Sequence, residues 1–463
     1  MDQSLVQALL HPSVFISINI ILFLCGILVL LMQPGFMLLE MGSVSRKNAI
    51  NNVFKNFIDL CLCGLFFWWI GFDILNGTSP LTEVFKGLGL TQPVTDDAPR
   101  ILAVEPIAIF FQFVFASTAV TITSGCVTGR VHPFHYVVYS VIFSSIIYPI
   151  VAFFVWNPMG IFYGVFTDFA GSVVVHAVGG FAGLAGAILV GPRIGFYRHG
   201  ADDYGTDVVD ALAESHQPHN VPLAALGVFF LWIGWYGFNA GTHFAAGLPE
   251  FTSVEGTDLI AALTPIFDTF GQIIVNTTLA PCMGATVVAI ALFASKQELD
   301  MLSIMNGAIA GLVGITASAD AASALGAVFI GGTCGLIFLA TRSLLDTFRI
   351  DDPVQAFSAH GTTGIFGVVA VSFFARDGGL DLGMFVSQLS IGILIAAFSF
   401  SCAWAVFSAS VYALRGAALL PIFEGPVKPG YKDNFLRVET DYELEGLDMH
   451  VHGRDAYNVY ENA

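Results

Sequence analysis

The sequence predicts an all-α polytopic membrane protein, and three observations carry that reading. Only 11% of the 463 residues are charged, less than half of what an ordinary soluble domain carries. Hydrophobic residues reach 56%, and phenylalanine alone contributes 43. Apolar runs of about 20 residues recur from end to end, each long enough to cross a hydrocarbon core about 30 Å thick. Backbone in lipid must satisfy its own hydrogen bonds, so runs of this length read as helices. A soluble domain is excluded.

Eleven transmembrane helices are expected, near residues 13–39, 57–77, 101–126, 134–156, 168–190, 222–243, 271–294, 302–318, 323–342, 353–374 and 384–414. Residues 258–270 are polar enough to be either the start of the seventh span or a surface turn. With eleven spans the two termini lie on opposite sides. Of the 17 lysines and arginines, all but Lys86, Arg100 and Arg376 fall on the side of the carboxyl-terminal tail. Cations concentrate on the cytoplasmic side, so the amino terminus is expected outside and the tail in the cytoplasm. No basic segment precedes the first apolar run, and a cleaved signal peptide is not expected.

An internal duplication sets the domain organisation. Asp168 precedes His176 by eight residues, and Asp352 precedes His360 by the same eight. After each histidine a glycine falls at the fourth position (Gly180, Gly364) and another at the seventh (Gly183, Gly367). The histidines stand on the fifth and tenth spans, each the fifth helix of a five-helix unit. Five is odd, so the second unit is inverted relative to the first, the pattern of transport proteins with sites between their repeats near mid-membrane. The expected membrane domain covers residues 1–414. Its repeats lie at about 13–190 and 222–374, with an extra helix at 384–414, and residues 415–463 form a cytoplasmic tail.

Charge and cysteine content exclude several functions. The net charge of −18 arises largely from a tail with nine acidic residues in its last 40 positions and a loop with Asp202, Asp203, Asp207, Asp210 and Glu214. Both read as solvated connecting segments, and no basic patch suggests nucleic acid. The seven cysteines lie in apolar runs with no Cys-x-x-Cys. They read as small hydrophobic residues, with neither a disulfide framework nor a zinc site indicated.

The two histidines are the candidates for chemistry. Eight residues at 1.5 Å rise put each about 12 Å from its aspartate, one entering from either face, so both imidazoles should meet near the midplane. An ionisable residue there is costly, and the bland alternative is a hydrogen bond to a neighbouring helix. A neutral imidazole offers one donor and one acceptor, and a facing pair can hold a chain of small donor–acceptor molecules in a greasy lumen. No third ligand is apparent, so no metal or other cofactor is expected.

Several separate motifs share a common likeness. They are Trp-Tyr-Gly-Phe-Asn-Ala-Gly-Thr (235–242), Asp168 to His176, Gly-Ala-Ile-Ala-Gly-Leu-Val-Gly-Ile-Thr (307–316), Asp-Asp-Pro (351–353) with His360-Gly361, and Glu-Gly-Leu-Asp-(x3)-His-Gly-(x2)-Ala-Tyr (445–457). Together they resemble the ammonium transporter (Amt/Mep/Rh) family, on its Amt branch, over nearly the whole chain. The resemblance implies the ammonium-transporter fold and a homotrimer with one pore per subunit, a phenylalanine constriction and a twin-histidine lumen. Carried over residue by residue, it implies an outer recruitment site of Trp156, Phe115 and Thr242, where the family usually has serine in place of Thr242. It implies a gate of Phe115 and Phe238 and a pore lined by His176 and His360, with Phe111 and Gln112 in the vestibule. Asp168 resembles the family's carboxylate near the recruitment site, and its bland reading is an N-cap of the fifth span.

The physics suits those roles. Aromatic faces attract a compact cation by roughly 0.5–2 kcal/mol, and a hydrophobic constriction rejects hydrated Na⁺ and K⁺. The expected function is ammonium transport into the cell, with methylammonium as an analogue, by separation of NH₄⁺ into NH₃ and a relayed proton. The alternatives are an ammonium sensor that binds and signals, and an Rh-like passive NH₃ channel. An enzyme is not expected, since no nucleophile–base arrangement appears outside the lumen. The tail motif, through Gly446, Leu447, Asp448, His452, Gly453 and Tyr457, implies a helix that couples subunits. In many prokaryotic members a PII-type signalling protein docks on that face.

Overall fold

A computed structural model describes residues 12–94, 103–197, 216–245, 258–374, 380–417, 429–431 and 434–457. Among them ten helices are long and apolar enough to cross a membrane, and an eleventh, Met301–Ile315, is apolar but shorter. In chain order they are α1 (Phe15–Ser43), α2 (Arg46–Gly87), α3 (Glu105–Val127), α4 (Pro133–Trp156) and α5 (Ser172–Val190), then α6 (Val221–Ala245). The series continues with α7 (Asp258–Ala294), α8 (Met301–Ile315), α9 (Ala324–Phe348), α10 (Ala356–Phe374) and α11 (Leu382–Ala417).

The eleven expected spans all have a counterpart, with corrected ends. The second helical run covers Arg46–Gly87, well beyond the expected 57–77. The added first turns carry Arg46, Lys47 and Lys55, and Lys55, like Asp59 one turn on, is buried among polar partners within the bundle. Residues 258–270 are the start of α7, which runs unbroken through Pro265 and Pro281. The fifth and tenth spans begin later than expected, at Ser172 and Ala356. The acidic loop at 202–214 lies outside the described residues.

Packing repeats along the two halves: α3 lies against α5, and α8 lies against α10. The two halves meet where α5 and α10 cross. A Cβ on Gly180 would lie 2.8 Å from Gly361 Cα, and one on Gly364 would collide with the Ser172 carbonyl. Only a bare backbone permits that approach, which is how small residues let membrane helices close on each other. α11 packs on α5.

A polar knot ties both halves and the tail together at one face. Asp351 lies just before α10, and Arg193 just after α5. The guanidinium grips the carboxylate in a fork, Nε to Oδ2 and Nη2 to Oδ1 each at 2.8 Å, and the Arg193 amide adds a third bond at 2.9 Å. Arg130, fully buried between α3 and α4, donates to the carbonyls of Asp351 and Gly191. The tail forms β1 (Pro429–Tyr431) and β2 (Asn434–Val438), followed by α12 (Thr440–Glu445) and α13 (Leu447–His452). Strand β2 pairs with the turn between α3 and α4 through the bonds from His132 N–H to the Leu436 carbonyl and from Val438 N–H to the Arg130 carbonyl.

The tail is therefore not simply a solvated acidic segment. Glu443 is 4% exposed; it forks onto Arg437 at 2.6 and 2.7 Å and accepts from the Ile194 amide. Asp448, 1% exposed, accepts from the amides of Ile50 and Asn51 and caps the regular part of α2. These two carboxylates correct the reading of the tail acids as solvated, because each has charged or amide partners that a linear pattern does not reveal.

Asp351 supplies a test of this knot. Burial pushes its carboxyl up, but the Arg193 and Arg130 guanidinium groups overcome it and hold the carboxyl well below the usual carboxylate range. A depressed folded-state pKa stabilises the fold above about pH 4, where an unfolded aspartate ionises, and that contribution is lost as pH falls further. Removing one partner of a buried pair costs about 3–5 kcal/mol. Asp351→Asn is expected to lower the melting temperature of the purified protein at neutral pH. The gap from wild type should narrow as the pH is taken well below 4.

Candidate pore

Two short non-helical entries build the site. Asp168 does not begin a regular helix: residues 168–171 are non-helical, Ser172–Ala177 form a π-turn, and the α-helix proper starts at Val178. The Asp168 carboxylate collects the amides of Gly171, Val173 and Val174 at 3.2, 2.9 and 2.9 Å. Gly171 turns the chain at φ +107°, a conformation an L side chain rarely adopts. Asp352 does the equivalent work before α10, accepting from Ala356 and Ser358 at 2.9 and 3.3 Å. The capping expectation for Asp168 thus has the geometry it needs. The helix-rise estimate of depth does not, because the first four of the eight residues are not helical in either copy.

The amides this opening exposes find partners on α8. That helix ends at Ile315, and the carbonyls of Thr316 and Ala317 accept from Ala170 and Phe169 at 3.0 and 3.2 Å. The expected span of 302–318 is shortened by those few residues, whose carbonyls are given to another element.

The imidazoles meet as the spacing implied. His176 and His360 are 0% and 2% exposed, and Nδ1 lies 3.3 Å from Nδ1. One ring must donate and the other accept, so the pair together holds one hydrogen between them. His176 Nε2 has no protein partner among the described residues. No group of three or more His, Cys, Asp or Glu among the described residues could hold a metal ion.

Aromatic rings stack above the pair. Phe115 of α3 and Phe238 of α6 lie face to face, centroids 3.8 Å apart and planes 14° from parallel. Phe238 is 5.4 Å from His176. On the other side Phe111 lies 4.7 Å from Phe115, and Trp156 meets Phe115 edge-on at 6.2 Å. The indole N–H donates to the Asp168 carbonyl at 2.8 Å, so the Asp168 turn also sets the Trp156 ring. Thr242 is one turn beyond Phe238 and donates its hydroxyl to the Phe238 carbonyl at 2.9 Å. Its hydrogen is thereby committed, and its lone pairs remain for an N–H donor; the extra methyl does not prevent that arrangement. Phe111 and Gln112 line a cavity of about 200 Å³ with Glu105, Asn76 and Leu22.

The expected residues thus fall into one column. Trp156, Phe115 and Phe238 are in ring contact, Phe238 adjoins His176, and His176 adjoins His360. The sequence reading missed Trp235. Its ring stacks on His176 at 4.9 Å and 20°, lies 6.4 Å from His360, and its N–H is fixed by Thr316 Oγ1 at 2.9 Å. It stands three residues before Phe238, on the same helix face, so the signal was present. Among six tryptophans and 43 phenylalanines, periodicity alone did not single it out. Phe36, 6.0 Å from His360, was missed for the same reason.

An all-α membrane protein with a buried histidine pair beneath two stacked phenylalanine rings belongs to the class of membrane transport proteins rather than enzymes. The profile of the Ammonium Transporter Family matches residues 20–457, and the chain belongs to that family. It is 32% identical over 450 residues to the ammonium transporter Amt2 of Archaeoglobus fulgidus, covering 94% of this chain and 86% of that one. Among solved structures, one titled "Sensor Amt Protein" superposes with a TM-score of 0.73 at 30% identity, covering 98% of this chain and all of that one. The crystal structure of Candida albicans Mep2 shares the fold, with a TM-score of 0.67 at 24% identity over 88% of this chain and 85% of that one.

Asp168 gives the test of the turn. Asp168→Ala leaves three amides without their acceptor, and each buried unsatisfied donor costs about 1–3 kcal/mol. The variant is expected to express poorly and melt well below wild type, with activity lost alongside. Normal melting with full activity would rule out the capping role.

Proposed function

We propose that the protein recruits ammonium at Trp156, Phe115 and Thr242, passes it the Phe115–Phe238 gate, and conducts it along the His176–His360 pair as NH₃ with a relayed proton. The observation that carries this is the single column from a cation-attracting aromatic site, through a closed gate, to two imidazoles sharing one hydrogen. The stacked rings leave no space between them, so a passing molecule requires them to swing apart. Beyond them lie the two imidazoles, with the Trp235 and Phe36 rings against them. Mid-membrane charge is costly, at least about 2.5–3.5 kcal/mol for a charged side chain, and leaving the proton at the gate removes that cost. An imidazole pair is suited to carry it separately, since each ring exchanges a proton at one nitrogen while holding one at the other.

The orientation that fits is an amino terminus outside and a cytoplasmic tail, as the lysine and arginine distribution requires. The membrane would be the plasma or inner membrane. The residues 1–414 act as the transport domain and 415–463 as its tail, with Asp168 acting by position and field rather than direct ligation. The tail knot, with Asp448 capping α2 and Glu443 bound to Arg437, is a surface on which subunits of a homotrimer couple or a PII-type protein docks.

A second reading is favoured by one observation, the likeness to a structure titled as a sensor. A sensor would bind ammonium at the same aromatic site without net flux. Ammonium-induced current in proteoliposomes separates the two: saturable current supports transport, while ammonium binding without current or uptake supports sensing.

Within the transport reading, Trp156→Leu is expected to weaken apparent ammonium affinity several-fold with assembly intact, read from uptake titrations. Unchanged affinity and selectivity would count against the recruitment site. His176→Ala and His360→Ala are each expected to abolish ammonium-driven current. His360→Glu, by placing an anion in the lumen, should admit K⁺. Wild-type current and selectivity in both alanine variants would reduce the histidines to packing.

A further inference from the structure

The first half contains a second buried polar cluster with no part in the pore chemistry. It is built by Gln33 and Glu40 of α1, Lys55 and Asp59 of α2, Thr121 and Ser124 of α3, and Tyr136 of α4, none more than 3% exposed. Lys55, Glu40 and Ser124 form a closed triangle. The ammonium lies 3.4 Å from Glu40 Oε2 and donates to the Ser124 carbonyl at 3.1 Å, while Ser124 Oγ donates to the same carboxylate at 2.9 Å. That leaves one carboxyl over. Asp59 has no ion-pair partner among the described residues and meets only hydroxyls, Tyr136 at 2.5 Å and Thr121 at 3.3 Å, with Oδ1 unpartnered.

Two carboxyls against one ammonium is an unbalanced count in a membrane interior, where uncompensated charge is expensive. The remaining neighbours do not correct it. The Arg130 guanidinium is committed to the carbonyls of Gly191, Thr128 and Asp351, and the Cys63 thiol faces the Phe113 carbonyl.

The hydrogens point the same way. Thr121 Oγ1 has one hydrogen and three apparent acceptors: the Ser117 carbonyl at 2.9 Å, Gln33 Oε1 at 3.0 Å and Asp59 Oδ2 at 3.3 Å. Gln33 Nε2, meanwhile, has no acceptor. Exchanging the ends of the Gln33 amide, whose oxygen and nitrogen are told apart only by the hydrogen bonds they make, lets it donate to Thr121, and Thr121 then donates to Ser117. The contact to Asp59 still lacks a hydrogen unless the carboxyl supplies it.

We propose that Asp59 is a neutral carboxylic acid in the working protein, a positioning residue whose proton balances the buried cluster and ties α2 to α3 and α4. α3 carries the gate residue Phe115, and α1, joined through Gln33, carries Phe36 against His360. The cluster therefore holds the walls of the pore without touching its contents.

Infrared spectroscopy of the purified protein at neutral pH tests this directly. The carbonyl stretch of a protonated carboxylic acid is expected in wild type and lost in Asp59→Asn. It should also be lost in Glu40→Gln, where Asp59 gives up its proton to become the counter-ion of Lys55. Asp59→Asn, which mimics the neutral acid, is expected to melt near wild type, while Asp59→Ala melts well below it. The Glu40→Gln/Asp59→Asn pair strands the ammonium and should lose folded yield far beyond the sum of the single changes, with Lys55→Met restoring it. An acid band that survives in both single variants, or Asp59→Asn as unstable as Asp59→Ala, would overturn the proposal. Ammonium current retained by Asp59→Asn would extend it to transport. That readout alone rests on the pore reading; absence of current in wild type would strike the pore reading and leave the infrared result standing.

Discussion

The close crossing of α5 and α10 is the contact on which the histidine pair depends. Two imidazoles on separate membrane helices can share a hydrogen only where those helices are held against each other in one fixed crossing. Gly180 against Gly361, and Gly364 against the Ser172 carbonyl, provide that approach. There is little hydrophobic drive between helices in lipid, so packing of this closeness and the bonds it permits supply the association. The Nδ1–Nδ1 distance of 3.3 Å follows from it.

The same crossing creates a difficulty that the rest of the site resolves. Both helices are entered through non-helical turns, which in lipid would leave amide groups unpaired at a cost of several kcal/mol each. Asp168 and Asp352 gather those amides, and the carbonyls released at the end of α8 take two more. Irregular backbone at membrane depth is tolerated where it is buried in protein. Here it also orients function, because the Asp168 carbonyl fixes the Trp156 indole and Thr316 fixes Trp235 over the histidines.

Charge in this protein is handled locally. Asp351 is forked by Arg193, Glu443 by Arg437, and Glu40 is held by Lys55 with Ser124. The first two of these sit at the face that carries the tail, tying the end of α5, the start of α10 and the tail into one knot. The column of aromatic rings and histidines lies apart from these charge pairs.

Much of this was legible in the chain itself. Low charge and recurring apolar runs determine a bundle of membrane helices, because lipid admits only backbone that bonds to itself. The repeated Asp-(x7)-His-(x3)-Gly-(x2)-Gly spacing singles out His176 and His360 as equivalent positions before any coordinates, and the fold brings the two together. What a linear pattern cannot express is which partner neutralises a buried polar group. Nothing in the sequence marks the partners of Lys55 and Asp59, Glu443 and Asp448 read as solvated, and Trp235 read as one aromatic among many. The unwound entry at Asp168 was also invisible, because the local cap by its own carboxylate is completed only by the Thr316 and Ala317 carbonyls from a distant part of the chain. Those contacts are long-range, and only the tertiary structure, by bringing their donors and acceptors within 3 Å or so, decided them.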